Sequence, residues 1–285
     1  MKTLLEKTIA QHGKDGLCIA FSGGVDSGLL LGIAAQLPIR VHAVTFATQL
    51  HPAVDLEAAR AMAHELGVIH TILPIDELSD EGILMNPHDR CYRCKRLLFS
   101  KLREYAEEQG LGCVMDGTNA DDLTEYRPGL RALAELKVVS PLAELGLHKS
   151  QVRELAQAMG MSIAQKPSSP CLATRLPYGT RITPQALAQI EQGESFLKDN
   201  GFQVCRLRVY GDTARIEILP DDFHRMMELR EDVIQYIKGL GFSYVTLDLE
   251  GFRSGSMDVH INYGEVKYFG DKAAATACQR GKDEY

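Results

Sequence analysis

The chain has 285 residues, 45% hydrophobic and 24% charged, an ordinary composition for a folded protein with a large core in one or two domains. Its net charge of −7 argues against a nucleic-acid partner, which requires a basic face, and the basic clusters at 90–96 and 205–208 are too short to supply one. No apolar run approaches the roughly 20 residues of a membrane span, and the N-terminus runs into an amphipathic helix without a signal-peptide core, so a cytoplasmic protein with no membrane contact is expected.

In chain order, an apolar strand over 17–21 leads into Ser22-Gly23-Gly24-Val25-Asp26-Ser27, and a helix is expected over 28–36. A strand, a Gly-rich turn and a helix start aim several unpaired N–H groups and the positive end of a helix dipole at one spot, a cradle for phosphate. Gly23 and Gly24 permit positive φ and close anion approach, and Ser22 and Ser27 add hydroxyls. No Lys follows the second Gly, so this is not the loop that serves γ-phosphoryl transfer; it suits a pyrophosphate that departs. Further strands are predicted over 41–46, 69–73, 112–115 and 137–139, and helices over 53–66, 96–109 and 149–159. Strands alternating with crossover helices predict a parallel sheet with helices on both faces and a ligand beyond the strands' C-terminal ends.

The loop Lys166-Pro167-Ser168-Ser169-Pro170 then closes the first half. A helix over 184–200, strands over 203–210 and 214–219, a helix over 222–239 and a strand over 244–249 predict a smaller α+β domain. The expected division is an α/β parallel-sheet domain over 1–170, an α+β domain over 171–270 for substrate binding or oligomerisation, and a disordered tail over 271–285.

Seven cysteines, an odd number, argue for reactive or metal-binding thiols over a disulfide framework. Cys18 and Cys113 lie in apolar runs and read as inert core; Cys205 and Cys278 receive no role. Cys91 and Cys94 form a CxxC at a helix start, a redox pair or half a zinc site when taken alone. Cys171 lies in a loop near Lys166 and Arg175, cations expected to lower its thiol pKa.

The SGGVDS segment resembles the PP-loop of the ATP pyrophosphatase superfamily, whose members split ATP between the α and β phosphates. The order SGGVDS, Asp116-Gly117-Thr118-Asn119-Ala120-Asp121-Asp122, Tyr126-Arg127-Pro128-Gly129, Ser140-Pro141-Leu142 and PCLATRLPYG at 170–179 is similar, from about 17 to about 252, to the LarE family. These are PP-loop sulfur transferases of nickel-pincer nucleotide cofactor synthesis. The resemblance implies that ATP adenylates a carboxylate of a pyridinium dicarboxylate mononucleotide, PPi leaves, and sulfur replaces AMP. It implies Mg²⁺ on Asp26 with Asp121 or Asp122, with Glu194 a further acidic candidate carried over from the family, and Lys149 neutralising the departing pyrophosphate. Arg206 and Arg208 match the family's RxR pair for the substrate phosphate, and i, i+2 residues on a strand share a face. A homo-oligomer, a hexamer, is the family's expected state.

Two sulfur mechanisms accompany the resemblance. In one, Cys171 attacks the adenylate, surrenders its sulfur and becomes dehydroalanine. In the other, Cys91, Cys94 and Cys171 hold a [4Fe–4S] cluster with one iron open to an extra sulfide. Three thiols favour the second. A PP-loop tRNA thiolation enzyme is the nearest alternative, and amide-forming synthetases or a nucleotide sensor are more distant ones.

Overall fold

The computed structural model describes residues 1–124, 127–166 and 170–253. Tyr126, Pro167, Ser168, Ser169 and the 271–285 tail lie outside the described residues. Helix α1 (Lys2–His12) precedes β1 (Leu17–Ala20), α2 (Val25–Ala34), β2 (Val41–Ala47), α3 (Ala53–Glu65) and β3 (Ile69–Pro74). A short helix α4 (Glu81–Leu84), the long α5 (Arg90–Glu108), β4 (Cys113–Met115), α6 (Gly129–Glu135), α7 (Pro141–Glu144) and α8 (Lys149–Ala158) complete the first half.

The four strands form one parallel sheet in the order β3-β2-β1-β4, flanked by helices, as the alternating pattern predicts. Because β1 and β4 are neighbours, the turns leaving their C-terminal ends, Ser22–Ser27 and Asp116–Asn119, lie side by side. Helix α2 is buried nearly all round, with Leu29, Leu30 and Leu31 each at 0% exposure, and it packs against α1 and α8. Each such leucine contributes about 1.5–3 kcal/mol of burial, which fixes the loop feeding the helix to a rigid base.

The fifth expected strand, over 137–139, is reduced to a single bridge between Val139 and Met115. Lys137 sits at φ 52°, a left-handed turn, and Ser140-Pro141 starts α7, so no room remains for a ladder.

In the second half, α9 (Pro184–Asp199) is followed by β5 (Cys205–Tyr210), β6 (Thr213–Ile218), α10 (Phe223–Glu228), α11 (Arg230–Gly239) and β7 (Tyr244–Leu247). Here β5 and β6 are antiparallel while β6 and β7 are parallel. The single helix expected over 222–239 is two helices, with Leu229 between them and Glu231 and Asp232 in the first turn of the second. Acidic residues favour a helix start, and there they mark one inside an unbroken helical pattern.

The second apolar core, around Leu172, Phe202, Leu207 and Ile237, also takes in Leu50 and Ile83 from the first half. No helix among the described residues is long and apolar enough to cross a membrane.

Candidate active site

At the end of β1 the chain turns through Gly23 at φ 69°, a conformation a side chain would strain. Ser27 Oγ accepts the Ser22 N–H at 3.2 Å, lies 3.2 Å from Ser22 Oγ and donates to the Gly24 carbonyl at 3.4 Å, closing the loop on itself. Val25 is buried and begins α2, whose first-turn amides face the loop's concavity. Lys166 Nζ donates to the Gly23 carbonyl at 3.1 Å. Lys166 thus reaches the phosphate loop, a contact its sequence position beside Cys171 did not suggest.

Asp26 projects from the first turn of α2. One of its oxygens is ion-paired with Lys149 Nζ at the start of α8, and the other accepts from Asn119 Nδ2 at 3.2 Å. Asn119, 3% exposed, is the hub of this corner: its Oδ1 accepts the Asp121 and Asp122 amides, and its own amide donates to Asp122 Oδ2 at 2.9 Å. Asp121 accepts the Lys149 amide at 2.8 Å and lies 2.6 Å from His148 Nδ1. The His148 hydrogen bond, then the Lys149 amide, hold its carboxyl below the usual range. Asp122 pairs with Arg127 at 2.8 Å. Gly117 permits this assembly, because a Cβ there would stand 2.7 Å from the Ser27 amide nitrogen. The structure thus brings Asp26, Asp121, Asp122 and Lys149 to the mouth of the phosphate loop.

The three cysteines converge from distant segments. Cys91 and Cys94 occupy the first turns of α5, while Cys171 precedes a 3₁₀ turn, Leu172–Arg175. Asn86, at φ 49°, donates from Nδ2 to the carbonyls of Leu176 and Pro177 at 3.1 and 2.8 Å, and its own carbonyl accepts the Gly179 amide at 2.9 Å. Leu84 O accepts the Ile182 amide at 2.8 Å, and Leu50 O accepts the Leu172 amide at 2.8 Å. These bonds fasten the 170–182 segment to the chain leading into α5 and to the turn after β2.

Arg90, 2% exposed, lies among the thiols: it donates to Asn86 Oδ1 and sits 3.7 Å from Cys91 Sγ. Its guanidinium is raised because the nearby Cys171, Cys91 and Cys94 charges outweigh burial. Burial pushes the Cys171 thiol up despite Arg90 and, more weakly, Arg175, so the lowered pKa expected from sequence is not found. Burial likewise pushes Cys94 up, and Cys171 adds to it. Cys91 is exposed. Among the described residues no three His, Cys, Asp or Glu side chains stand close enough to hold an ion as they lie.

Two buried arginines fasten the Cys171 loop. Arg175 grips Glu194 with two 2.8 Å bonds and donates to the carbonyls of Pro170 and Cys171. Arg208 grips Glu217 at 3.0 and 2.9 Å and donates to Thr174 O at 2.6 Å. Glu194 also accepts the Leu207 amide on Oε1, so the acidic candidate of the sequence reading is bonded to Arg175 and β5 as it lies. Arg206 shares the face of Arg208 but is half-buried, lies 5.1 Å over the Phe252 ring, and makes no ion pair among the described residues. Burial, with Arg175 close by, holds its guanidinium below the ordinary value.

The asparagine synthase family profile matches residues 2–166. The chain is 36% identical over 253 residues to pyridinium-3,5-bisthiocarboxylic acid mononucleotide synthase of Lactiplantibacillus plantarum, covering 88% of this chain and 92% of that one. The chain belongs to this LarE family. It is an ATP-dependent PP-loop sulfur transferase. An uncharacterised Synechocystis protein is 37% identical over 249 residues, 86% of this chain and 92% of its own. Likeness to the tRNA-specific 2-thiouridylase of Sphingopyxis alaskensis is 27% over 190 residues, 54% of this chain and 50% of that one.

Several residues that shape this LarE-family site were not singled out from sequence. Asn86, Arg90, Arg175 as a loop clamp, Asn119 and Glu217 are single polar residues whose partners lie far along the chain. The one local signal was Arg90 itself, a cation abutting the CxxC.

Proposed function

We propose that the enzyme adenylates a carboxylate of pyridinium-3,5-biscarboxylic acid mononucleotide with ATP, releases PPi, and replaces AMP with sulfur delivered at Cys91, Cys94 and Cys171. The observation that carries this reading is the docking of the Cys171 loop on the CxxC helix, with the Arg90 guanidinium among the thiols. Ser22, Gly23, Gly24, Val25 and Ser27 hold the phosphates. Asp26 with Asp121 or Asp122 would supply hard oxygens for Mg²⁺, and Lys149, paired with Asp26 at the mouth of the loop, would neutralise charge on the departing pyrophosphate. Arg206, which has donors to spare, takes the substrate phosphate, and Arg208 braces the loop beside it.

The donor set fits a [4Fe–4S] cluster in chemistry: three thiols, one buried cation to offset their charge, and one position left without a protein thiolate. When bound, such a cluster supplies a site for an extra sulfide that attacks the adenylate. The thiols do not stand at ligating distance as they lie, so holding a cluster would require the 170–176 turn and the start of α5 to come closer together. A second reading, in which Cys171 alone gives up its sulfur, draws on the thiols standing apart as they lie, but the burial that pushes the Cys171 thiol up counts against it, because the thiolate is the nucleophile. The substrate and the homo-oligomeric state are carried from the family.

The test is PPi release from ATP and Mg²⁺ with the pyridinium dicarboxylate nucleotide or with tRNA as acceptor. PPi release with the nucleotide alone is expected. Release only with tRNA would overturn the substrate assignment.

A further inference from the structure

Lys166 follows the 3₁₀ turn Ser162–Gln165, and its backbone is held from several sides. Its amide donates to Ile163 O at 3.0 Å and its carbonyl accepts Arg153 Nη2 at 2.8 Å, while Arg153 Nη1 donates to Ala164 O at 2.5 Å. Buried Ile163 packs against Gly28 of α2, where a Cβ would collide with it. Arg153 lies one turn beyond Lys149 on α8, so the helix that presents a cation to Asp26 also fixes this turn. From that rigid base the half-buried Lys166 side chain crosses to the phosphate loop and donates to Gly23 O at 3.1 Å. A lysine that only solvated its charge would keep its rotamer freedom; this one gives it up.

The effect of the contact follows from peptide geometry. In a planar trans peptide the carbonyl and the next N–H point in opposite directions. With Gly23 O turned to the ammonium, the Gly24 N–H is turned the other way. Gly24 is the N-cap of α2, and among the described residues its amide donates to no backbone carbonyl. The peptide joins two glycines, at φ 69° and −88°, with no Cβ on either side to hinder its rotation. Rotated by half a turn, it would aim a carbonyl oxygen at the bound anion. A cation on that carbonyl opposes the rotation and, by polarising the peptide, strengthens the N–H as a donor.

We propose that Lys166 is a positioning residue of the phosphate loop: by holding Gly23 O it keeps the Gly24 N–H directed at the pyrophosphate portion of ATP. It acts through that amide and stays on the carbonyl when the nucleotide binds. The inference rests on the reading of the 22–27 loop as the phosphate cradle.

Gly23-Gly24 is the one Gly–Gly pair of the sequence, so full-length protein labelled with carbonyl-¹³C and ¹⁵N glycine gives a single carbonyl–amide correlation by NMR, from this peptide. On addition of α,β-methylene ATP with Mg²⁺, the wild-type Gly24 amide proton is expected to move downfield while the Gly23 carbonyl stays in place. In Lys166→Met the carbonyl is expected upfield of wild type before any ligand is added. That variant should bind α,β-methylene ATP about tenfold more weakly, with adenosine affinity unchanged, and Lys166→Arg should recover most of the loss. A wild-type carbonyl that moves upfield with the analogue would show the ammonium leaving for the phosphates, which overturns the positioning role. Wild-type affinity in Lys166→Met overturns it as well, and so does an equal loss for adenosine, which marks a general defect of the fold. A wild type that binds the analogue no more tightly than adenosine overturns the cradle reading itself. If Lys166→Met does not fold, the wild-type carbonyl shift decides alone.

Discussion

The phosphate corner and the cysteine corner are built in opposite ways. The first is contiguous: six residues at the end of β1 make the loop, and the neighbouring β4 turn supplies Asn119 and the acids. The second is assembled from 84–94 and 170–182, segments joined by the buried Asn86 side chain, with Arg90 bonded to Asn86 behind it and Arg175 tying the 170–175 turn to Glu194 on α9. A local site is stabilised by its own turn and helix. A site assembled across the chain depends on long-range polar bonds whose loss is felt at full desolvation cost. The two corners should therefore fail separately and for different reasons.

The sharpest break is Cys171→Ala. Thiocarboxylate product should vanish while nucleotide-dependent PPi release persists, because the adenylating corner is untouched; transfer at the wild-type rate would end both sulfur mechanisms. Next, Arg208→Ala should destabilise the fold by about 3 kcal/mol, since it strips one partner from buried Glu217 and releases Thr174. Arg206→Ala should instead spare the melting temperature and raise the substrate KM. Equal melting losses in the two variants would erase the distinction drawn between them. Asn86→Ala should cost about 1–3 kcal/mol by orphaning Arg90 and two carbonyls, and should slow sulfur transfer more than PPi release. The smallest effect is on the other side: Gly117→Ala pushes a Cβ at the Ser27 amide and should raise the ATP KM about tenfold, with sulfur loading unchanged.

The same contrast explains what was legible in the sequence. SGGVDS after an apolar run states a strand, a turn and a helix start in adjacent residues, so its place was readable, as were the parallel strands that share its periodicity. The reading over 137–139 failed because an apolar pair was taken for a strand where Lys137 turns left-handed. The helix over 222–239 was read through Leu229 because no Gly or Pro interrupts it. Arg206 and Arg208 were read as equivalent because spacing reports a shared face, whereas the partners that separate them lie on β6 and in the Cys171 loop. Lys166 was read only beside the nearby thiol because sequence distance is all a sequence offers; the fold adds a reach back to Gly23.

The most direct test of the account is the intact mass of anaerobically reconstituted protein before and after turnover with ATP, Mg²⁺ and the dicarboxylate nucleotide. The account predicts thiocarboxylate product from a polypeptide of unchanged mass, the sulfur having come from a carrier held by Cys91, Cys94 and Cys171. Conversion of Cys171 to dehydroalanine in step with product would contradict it.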